Sequence, residues 1–237
     1  DADPTVINHP SKLKYDIFAG RAQDGVKEFK RLLLRNSGND SSASHIRDGL
    51  MQALCKGMNV STMAYRPSLV FVNGEFWGVY NIRERYDAKY FEEHYGVLEE
   101  NLVMVEAPSP LVTNWDYDVP YVLNEGVAGD EVVYHKLMDY ISANDMSNPT
   151  HYNYIEKHID LDSFIDFFVC SMYMCNIDWP ANNVKVWRNK STTDPSGLDT
   201  RWRYVLCDMD MGMGLLITPT QKILGATISD FLKIARG

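Results

Sequence analysis

The feature that most limits how this chain can fold is the dipeptide Asn73-Gly74, which lies between two strand-like runs in "PSLVFVNGEFWGVYNIRER". Asn-Gly is the commonest dipeptide of the type I′ turn that joins adjacent antiparallel strands. Both flanking runs are rich in the aromatic and β-branched residues that favour strands. The sequence therefore predicts a β-hairpin here, and a fold that contains antiparallel sheet.

The segments before the hairpin predict a strand and a helix. The run "FKRLLLRN" at 29–36 is typical of a buried strand, and "SGNDSS" after it indicates a turn. The next stretch, "SHIRDGLMQALCKGMN", has helical spacing, with a serine cap at its start and a glycine stop signal at its end. We expect one face of this helix to lie in the core, namely Ile46, Leu50, Ala53 and Leu54.

The segments after the hairpin mix strands and helices. Helices are predicted in "DAKYFEEHYG", "EVVYHKLMDYISAN" and, beginning at a capping Asp160 and ending at Asp178, "IDLDSFIDFFVCSMYMCN". "ENLVMVEA" predicts a strand, "RWRYVLCDMDMGMG" predicts a strand that stops at Asp208, and residues 107–130 are typical of a long irregular connection. These elements together predict an α+β protein.

Composition excludes some classes of function. At 237 residues, with 45% hydrophobic residues, the chain can bury a core as one large or two small domains. A net charge of −9 argues against nucleic acid as a partner, since nucleic-acid binders carry clustered Lys and Arg. No apolar run reaches the ~18 residues of a membrane span, so none is expected. The four cysteines form no CxxC pair, which argues against a zinc or redox motif.

Polar residues that could take part in catalysis or metal binding follow the last predicted helix, in "NIDWPANNVKVWRN". Asp178 and Asn183 are separated by the Asp-x-x-x-x-Asn interval of a protein-kinase catalytic loop, and Asp208 ends a later strand as the kinase metal-binding Asp does. Phosphoryl transfer needs a carboxylate to orient the attacking hydroxyl and hard oxygen ligands to hold magnesium. These three side chains could supply both requirements.

Simpler interpretations of the same residues remain open. An Asp-x4-Asn match alone can arise by chance, because Asp and Asn are common turn formers. Asp208 and Asp210 alone would also suit a calcium loop or a solvated strand end. The order of helix, Asp-x4-Asn turn, short strand and acid-tipped strand favours the kinase arrangement.

Four stretches then closely resemble one family: "FKRLLLRNSGNDSSASHIRDGLMQAL", "RPSLVFVNGEFWGVYNIRERYD", "NIDWPANN" and "RWRYVLCDMDMGMG". They are similar to the CotH family, the bacterial spore-coat kinases and their relatives, over roughly residues 15–215. The resemblance implies an atypical, two-lobed protein-kinase-like fold, with a small sheet-plus-helix N-lobe (1–86) and a mostly helical C-lobe (87–237). It also implies ATP with Mg²⁺ or Mn²⁺ as cofactors, and phosphorylation of Ser-rich proteins that are secreted or at the cell surface.

The resemblance also assigns roles to residues. It implies Asp178 as the catalytic Asp, Asn183 as a metal ligand with Asn182 beside it on the nucleotide side, and Asp208 and Asp210 as metal ligands.

Two further residues are candidates for nucleotide binding. Arg35 occupies the place of the phosphate-binding lysine of kinases, and its planar guanidinium suits phosphate. Its alternative is an ion pair with Asp40 or Asp48. Glu84 falls at a hinge-like position where backbone groups could meet an adenine, and its alternative is a surface charge between the neighbouring arginines.

Departures from the kinase pattern are also present. Ile177 replaces the Arg that precedes the catalytic Asp, no Ala-Pro-Glu segment follows Asp210, and residues 1–30 contain no G-x-G-x-x-G loop. The start "DADPTVINHP" indicates a processed or excised chain. Since the family usually has a further basic, strand-forming segment upstream, the N-lobe is expected to be incomplete.

Three hypotheses follow for the function. The first is a phosphotransferase that uses ATP and magnesium on a protein hydroxyl. The second is a non-catalytic pseudokinase, or a surface adhesin that keeps the fold for binding, and the third is a calcium-stabilised structural domain. The presence of Asp178, Asn183 and Asp208 together favours the first.

Overall fold

The computed structural model describes residues 12–19, 26–109, 119–180 and 182–214. These parts of the chain contain helices and three small antiparallel sheets, so the protein is α+β as predicted. Within them, no helix has both the length and the apolar character needed to cross a bilayer.

Two of the sheets come from the N-terminal part of the chain. β1 (Leu13–Lys14) pairs with β2 (Glu28–Phe29). β3 (Leu33–Arg35), β4 (Tyr65–Val72) and β5 (Glu75–Arg83) form a three-stranded sheet in the order β3-β5-β4. β5 therefore lies in the middle, between the strand that carries Arg35 and its own hairpin partner.

The predicted hairpin is confirmed. β4 and β5 pair along their whole length around Asn73 and Gly74, whose φ angles are 51° and 85°. A type I′ turn needs positive φ at both central residues, which Asn and Gly tolerate best. A β-bulge between Val70 and Phe71 shifts the register near the tip.

The third sheet has four strands in the order β7-β6-β8-β9. They are β6 (Leu102–Glu106), β7 (Val122–Glu125), β8 (Lys185–Asn189) and β9 (Arg203–Val205). β7 lies inside the segment 107–130, so the prediction that this whole segment is irregular is wrong. Residues 110–118 of the segment fall outside the described residues.

Five α-helices occur among the described residues, and the sequence predicted four of them: α1 (Arg47–Leu54), α2 (Ala88–Tyr95), α3 (Val132–Ala143) and α5 (Leu161–Tyr173), with α4 (Pro149–Glu156) in addition. The predicted cap of α5 is confirmed, because the Asp160 side chain accepts a hydrogen bond from the Ser163 N–H. α5 ends at Tyr173, earlier than the predicted Asp178.

The face that α1 buries differs from the predicted one. Ile46, Leu50 and Leu54 are 37%, 38% and 58% exposed, and the buried residues of the helix are Asp48, Gly49, Met51 and Gln52. The helix also begins after Ile46 and has no side-chain cap. The predicted apolar face and serine cap are therefore wrong, because a buried carboxylate at Asp48 turns the other side of the helix inward.

β3 is likewise more exposed than predicted, since Leu33 and Leu34 are 40% and 58% exposed. It is an edge strand that pairs only with β5 among the described strands.

The main hydrophobic core contains residues of the helices α3 and α5 and of the four-stranded sheet. Its buried members include Tyr134, Leu137, Phe167, Val186 and Trp202. A second core lies around α2, where Phe91 contacts Trp187 of β8. β8 is thus fixed on both sides, and so is the position of the turn that precedes it.

Candidate active site

The pairing of β8 with β9 brings the two predicted polar segments together. The strands are antiparallel, with Lys185 opposite Val205, so the start of β8 and the end of β9 share one edge of the sheet. Asn183 comes just before that edge and Asp208 just after it. Residues 25 positions apart in sequence are therefore neighbours in the fold, as the sequence order predicted.

The turn before β8 is organised around the carboxylate of Asp178. Its Oδ2 accepts hydrogen bonds from Nδ2 of Asn182 (2.9 Å) and Nδ2 of Asn183 (2.6 Å). The carboxylate therefore uses the Nδ2 donors of both amides. Asn183 has a positive φ of 59°, and its backbone oxygen accepts a hydrogen bond from the Cys207 thiol (3.0 Å).

Burial raises the pKa of Asp178, and the negative charge of Asp210 acts in the same direction, while the hydrogen bond from Asn182 opposes both. A carboxyl group that is harder to ionise is a stronger base in its ionised form, so the direction of this shift suits a group that accepts a proton. The influence of Asp210 also means that the two predicted acidic segments interact electrostatically.

Arg35 joins the two acidic residues that follow β9. Its Nη2 donates to Asp208 Oδ1 and to Asp210 Oδ2, the second at 3.0 Å. Burial lowers the pKa of Arg35, but the charges of Asp48, Asp208 and Asp210 outweigh this effect and raise it. The alternative interpretation of Arg35, an ion pair with Asp40 or Asp48, is confirmed for Asp48, because Arg35 Nε lies 3.9 Å from Asp48 Oδ2. Asp40 pairs with Arg47 instead.

Asp208 and Asp210 differ in their surroundings. The Asp208 side chain is 36% exposed and that of Asp210 only 1%. Burial raises the pKa of Asp208, helped by the charges of Asp210 and Asp48 and opposed by Arg35. Asp208 also has a left-handed backbone, with a φ of 48°. It is therefore the accessible carboxylate of the pair, and Asp210 is the enclosed one.

The turn after β3 wraps around Asp210, which the sequence analysis did not foresee. Asn39 donates to Asp210 through its backbone N–H (3.1 Å) and its side-chain Nδ2 (3.2 Å). A Cβ added at Gly38 would lie 2.6 Å from Asp210 Oδ2 and 3.1 Å from Arg35 Nη2, and Gly38 has a φ of 52°. The glycine allows the backbone to approach the acid this closely.

Asp48 is a second residue whose role the sequence did not reveal. One oxygen of its carboxylate forms an ion pair with Arg83 Nη1. The other oxygen accepts hydrogen bonds from the Met209 N–H (2.9 Å) and from Gln52 Nε2 (2.8 Å). Burial opposes its ionisation, but the charges of Arg83 and Arg35 and the Met209 hydrogen bond outweigh burial and lower the pKa of Asp48. The side chain links α1 to β5 and to the acidic segment at once.

Asn176 is a third such residue. It is 2% exposed, its Oδ1 accepts the Asp178 N–H (3.3 Å), and its Nδ2 reaches Met209 Sδ (3.5 Å). It therefore connects the Asp178 turn to the Asp208 segment. Asn176 is the first residue of the quoted "NIDWPANN" stretch, but its spacing from Asp178 matches no motif that would have marked it as a site residue.

Glu84 lies away from these side chains. It is 2% exposed, and its carboxylate accepts the Ala64 N–H (2.8 Å) and contacts His94 Nε2 (2.7 Å). The alternative of a surface charge is therefore wrong. The backbone N–H of Glu84 also donates to the Ala64 carbonyl oxygen (3.3 Å). Any contribution of Glu84 to a nucleotide site therefore rests on its backbone carbonyl, one of the backbone groups that the hinge hypothesis invoked.

The chemistry of the donor set fits a hard divalent cation. Asp208, Asp210 and the amide oxygen of Asn183 offer only oxygen ligands, and Mg²⁺ in phosphoryl-transfer sites is usually held by one or two carboxylates together with substrate phosphates. In the described part of the chain, no three His, Cys, Asp or Glu side chains converge as a complete metal site.

The fold and site define an α+β protein in which an Asp–Asn turn and an arginine-bound pair of carboxylates meet at one edge of a sheet. The family model of the CotH kinase protein matches residues 8–231, nearly the whole chain. The chain therefore belongs to the CotH kinase family, which confirms the resemblance seen in the sequence. A search of curated proteins found no match.

Proposed function

We propose that this chain is an ATP-dependent, metal-requiring phosphotransferase that phosphorylates Ser or Thr hydroxyls of a Ser-rich protein. The observation that carries the proposal is the single ionic cluster in which Arg35 binds Asp208 and Asp210 beside the Asp178 turn. Membership of a kinase family supports the same reaction class. From the family we also infer a location outside the bacterial cytoplasm and a two-lobed arrangement divided near residue 86.

Asp178 is the proposed base. Its raised pKa supports this role, and the amides of Asn182 and Asn183 hold its Oδ2 in one orientation. The other oxygen, Oδ1, would accept the proton of the acceptor hydroxyl. The Asn183 amide oxygen would act as a metal ligand together with Asp208 and Asp210.

Arg35 is the proposed phosphate ligand. Its Nε is buried, lies 3.9 Å from Asp48 Oδ2 and makes no hydrogen bond among the described residues, so phosphate would have to meet the Nη atoms of the guanidinium. When bound, MgATP would supply the transferable phosphoryl group and the positive charge that offsets its negative oxygens. The guanidinium would then share its donors between phosphate and carboxylates, with Asp208 as the more accessible of the two acids.

The first test is phosphate transfer by Asp178→Asn. This change keeps the shape of the side chain and removes the base, so transfer should fall by roughly 10²–10⁴-fold while ATP affinity changes little. The assay uses labelled ATP, Mg²⁺ or Mn²⁺ and a Ser-rich protein acceptor. Asp199→Asn is a matched control, because Asp199 is a half-exposed acid paired only with Arg201 and Arg203 among the described residues.

The outcomes separate the hypotheses. Transfer by the wild-type chain that Asp178→Asn abolishes supports the enzyme. Nucleotide binding with no transfer by either chain would overturn the proposal and leave the pseudokinase or adhesin. Binding of Ca²⁺ without nucleotide would instead indicate a structural cation site.

A further inference from the structure

Two helices expose apolar side chains near the point where the described residues end. We define these side chains as the exit surface: Ile46 and Leu50 at the start of α1, and Val169, Met172 and Tyr173 at the end of α5. They are between 36% and 77% exposed. Residues four apart lie on the same side of a helix, so each helix presents a stripe. Single exposed apolar residues are normal, whereas a larger patch marks a surface that something covers.

The end of the described chain runs between these two helices. Arg47 of α1 donates from Nη1 to the Gly212 and Met213 carbonyl oxygens (3.1 and 2.9 Å). The Met213 N–H donates to the carbonyl oxygen of Met174, directly after α5 (2.7 Å). A Cβ added at Gly212 would lie 2.8 Å from both Met51 Sδ and the Met174 oxygen. Because Arg47 and Met174 are sequence neighbours of the exit surface, the chain after Met213 begins beside both stripes.

The rest of the sequence has a pattern that suits such a surface. Residues 215–237 lie outside the described residues. Apolar residues recur in this segment at i, i+3, i+4 and i+7, namely Ile228, Phe231, Leu232 and Ala235. Thr227 precedes them and Asp230 follows Thr227 by three positions, which is a capping signal. The spacing is typical of an amphipathic helix with one apolar side.

We propose that residues 215–237 dock on the exit surface of their own chain, with Ile228, Phe231 and Leu232 packed against the stripes of α1 and α5. The 13 residues 215–227 can span at most about 45 Å. This reach exceeds the lengths of α1 and α5, which are about 12 and 20 Å. The proposal does not depend on phosphoryl transfer, since it concerns the packing of the chain itself.

Two features favour the chain's own segment over a second copy as the occupant. A tethered segment binds at a high effective concentration, which a separate molecule does not have. The segment also carries Lys222, Lys233 and Arg236 against a single acid, whereas the whole chain has a net charge of −9. The exposed Asp162 lies two turns before Val169 on the same side of α5. The segment's charge therefore complements the surface, while two copies of this acidic chain would repel each other.

Docking would stabilise elements that carry the candidate active site. α1 contains Asp48, which accepts the Met209 N–H between Asp208 and Asp210. α5 leads into the turn of Asp178. A segment packed against both helices would restrict the movement of these two parts of the site relative to each other.

The test is photo-cross-linking of the full chain with p-benzoylphenylalanine in place of Tyr173, the most exposed member of the exit surface. After irradiation, cross-linked monomers and dimers are separated by size under denaturing conditions, and the monomers are cut with trypsin. We expect a link between peptide 158–185, which contains position 173, and peptide 223–233. The same probe at Phe76, an exposed residue near the hairpin turn, is the control and should not give a link to peptide 223–233.

Two further variants, made in the chain with the probe at position 173, test which side of the segment makes the contact. Phe231→Asp should lose the link, because a charge is costly to bury against apolar side chains. Ser229→Asp adds the same charge outside the apolar spacing and should keep the link.

Four outcomes would overturn the proposal. Cross-links found mainly in dimers would make a second copy the occupant. Monomers without a link from position 173 to peptide 223–233, or with an equal link from position 76, would show that the segment does not dock on this surface. Equal yields from Phe231→Asp and Ser229→Asp would exclude the apolar side as the contact. The first map keeps the segment's sequence intact, so a folding defect in either variant cannot obscure it.

Discussion

Arg35 holds together two carboxylates that would otherwise repel each other. Its Nη2 binds Asp208 and Asp210, and Asp48 lies 3.9 Å from its Nε. One guanidinium therefore faces three negative charges, and a cation that bound the acids would relieve Arg35 of part of this task. In the proposed function, Arg35 would balance the charge of these carboxylates and would also contact the phosphates of ATP.

This double role predicts the effect of Arg35→Ala on ligand affinity. The variant should bind ATP more weakly than the wild-type chain while its affinity for adenosine changes little, because adenosine has no phosphate for the guanidinium to bind. Titration calorimetry with both ligands measures the difference. Arg31→Ala serves as control, since Arg31 is an exposed arginine paired with Asp87. An equal loss for ATP and adenosine would show that Arg35 acts through packing.

At the scale of single elements, α1 shows what the sequence could and could not predict. Its helical spacing was evident, and the helix is present. The buried face was predicted wrongly because the partners of Asp48 are distant in sequence: Arg83 on β5 and Met209 after β9. A hydrophobic pattern carries no information about such pairs. The hairpin and the Asp178 turn were predicted because their signals, Asn-Gly and Asp-x4-Asn, are local.

Asp48→Asn should destabilise the protein markedly. The change leaves the buried Arg83 without its counter-charge, and breaking a buried ion pair typically costs about 3–5 kcal/mol. Urea unfolding at neutral pH measures the loss. Leu54→Ala, on the exposed face of the same helix, should cost far less.

The pH dependence of unfolding provides a second test of the contribution of Asp48 to stability. Because the pKa of Asp48 is lowered in the folded protein, its ionised form contributes stability that is fully present above its unfolded pKa of about 3.9. That contribution is lost as the pH falls through the lower folded pKa. The wild-type chain should therefore lose more stability than Asp48→Asn over this acidic range, and identical slopes would contradict the assignment.

The turn after β3 allows a prediction with a closely matched control. Gly38→Ala adds a methyl group 2.6 Å from the Asp210 carboxylate, at a φ of 52°. Gly57→Ala adds one at a φ of 92°, with nothing within 4 Å. Both variants should lose some stability, since a left-handed backbone costs a non-glycine residue roughly 1–2 kcal/mol. Only Gly38→Ala should also weaken Mg²⁺-dependent nucleotide binding, measured by fluorescence titration, and equal binding by both variants would contradict the role of this turn.

At the scale of the whole molecule, the candidate site joins two separate sheets. Arg35 belongs to the three-stranded sheet, and Asp208 and Asp210 follow the last strand of the four-stranded sheet. A ligand that binds all three side chains would contact residues of both sheets and would stabilise the folded arrangement of the two. Such a ligand stabilises the native protein as a whole, because it binds the folded chain and not the unfolded one.

Magnesium and ATP together should therefore raise the unfolding temperature. At a concentration 100-fold above the Kd, a bound ligand adds about 2.7 kcal/mol, and each kcal/mol corresponds to about 2–4 °C for a chain of this size. The expected shift is thus about 5–10 °C, measured by calorimetry with and without metal. Asp208→Asn should fold but show only the smaller shift that ATP gives without metal, because the accessible carboxylate is the one removed. An undiminished shift in Asp208→Asn would contradict the proposal that Asp208 holds the metal.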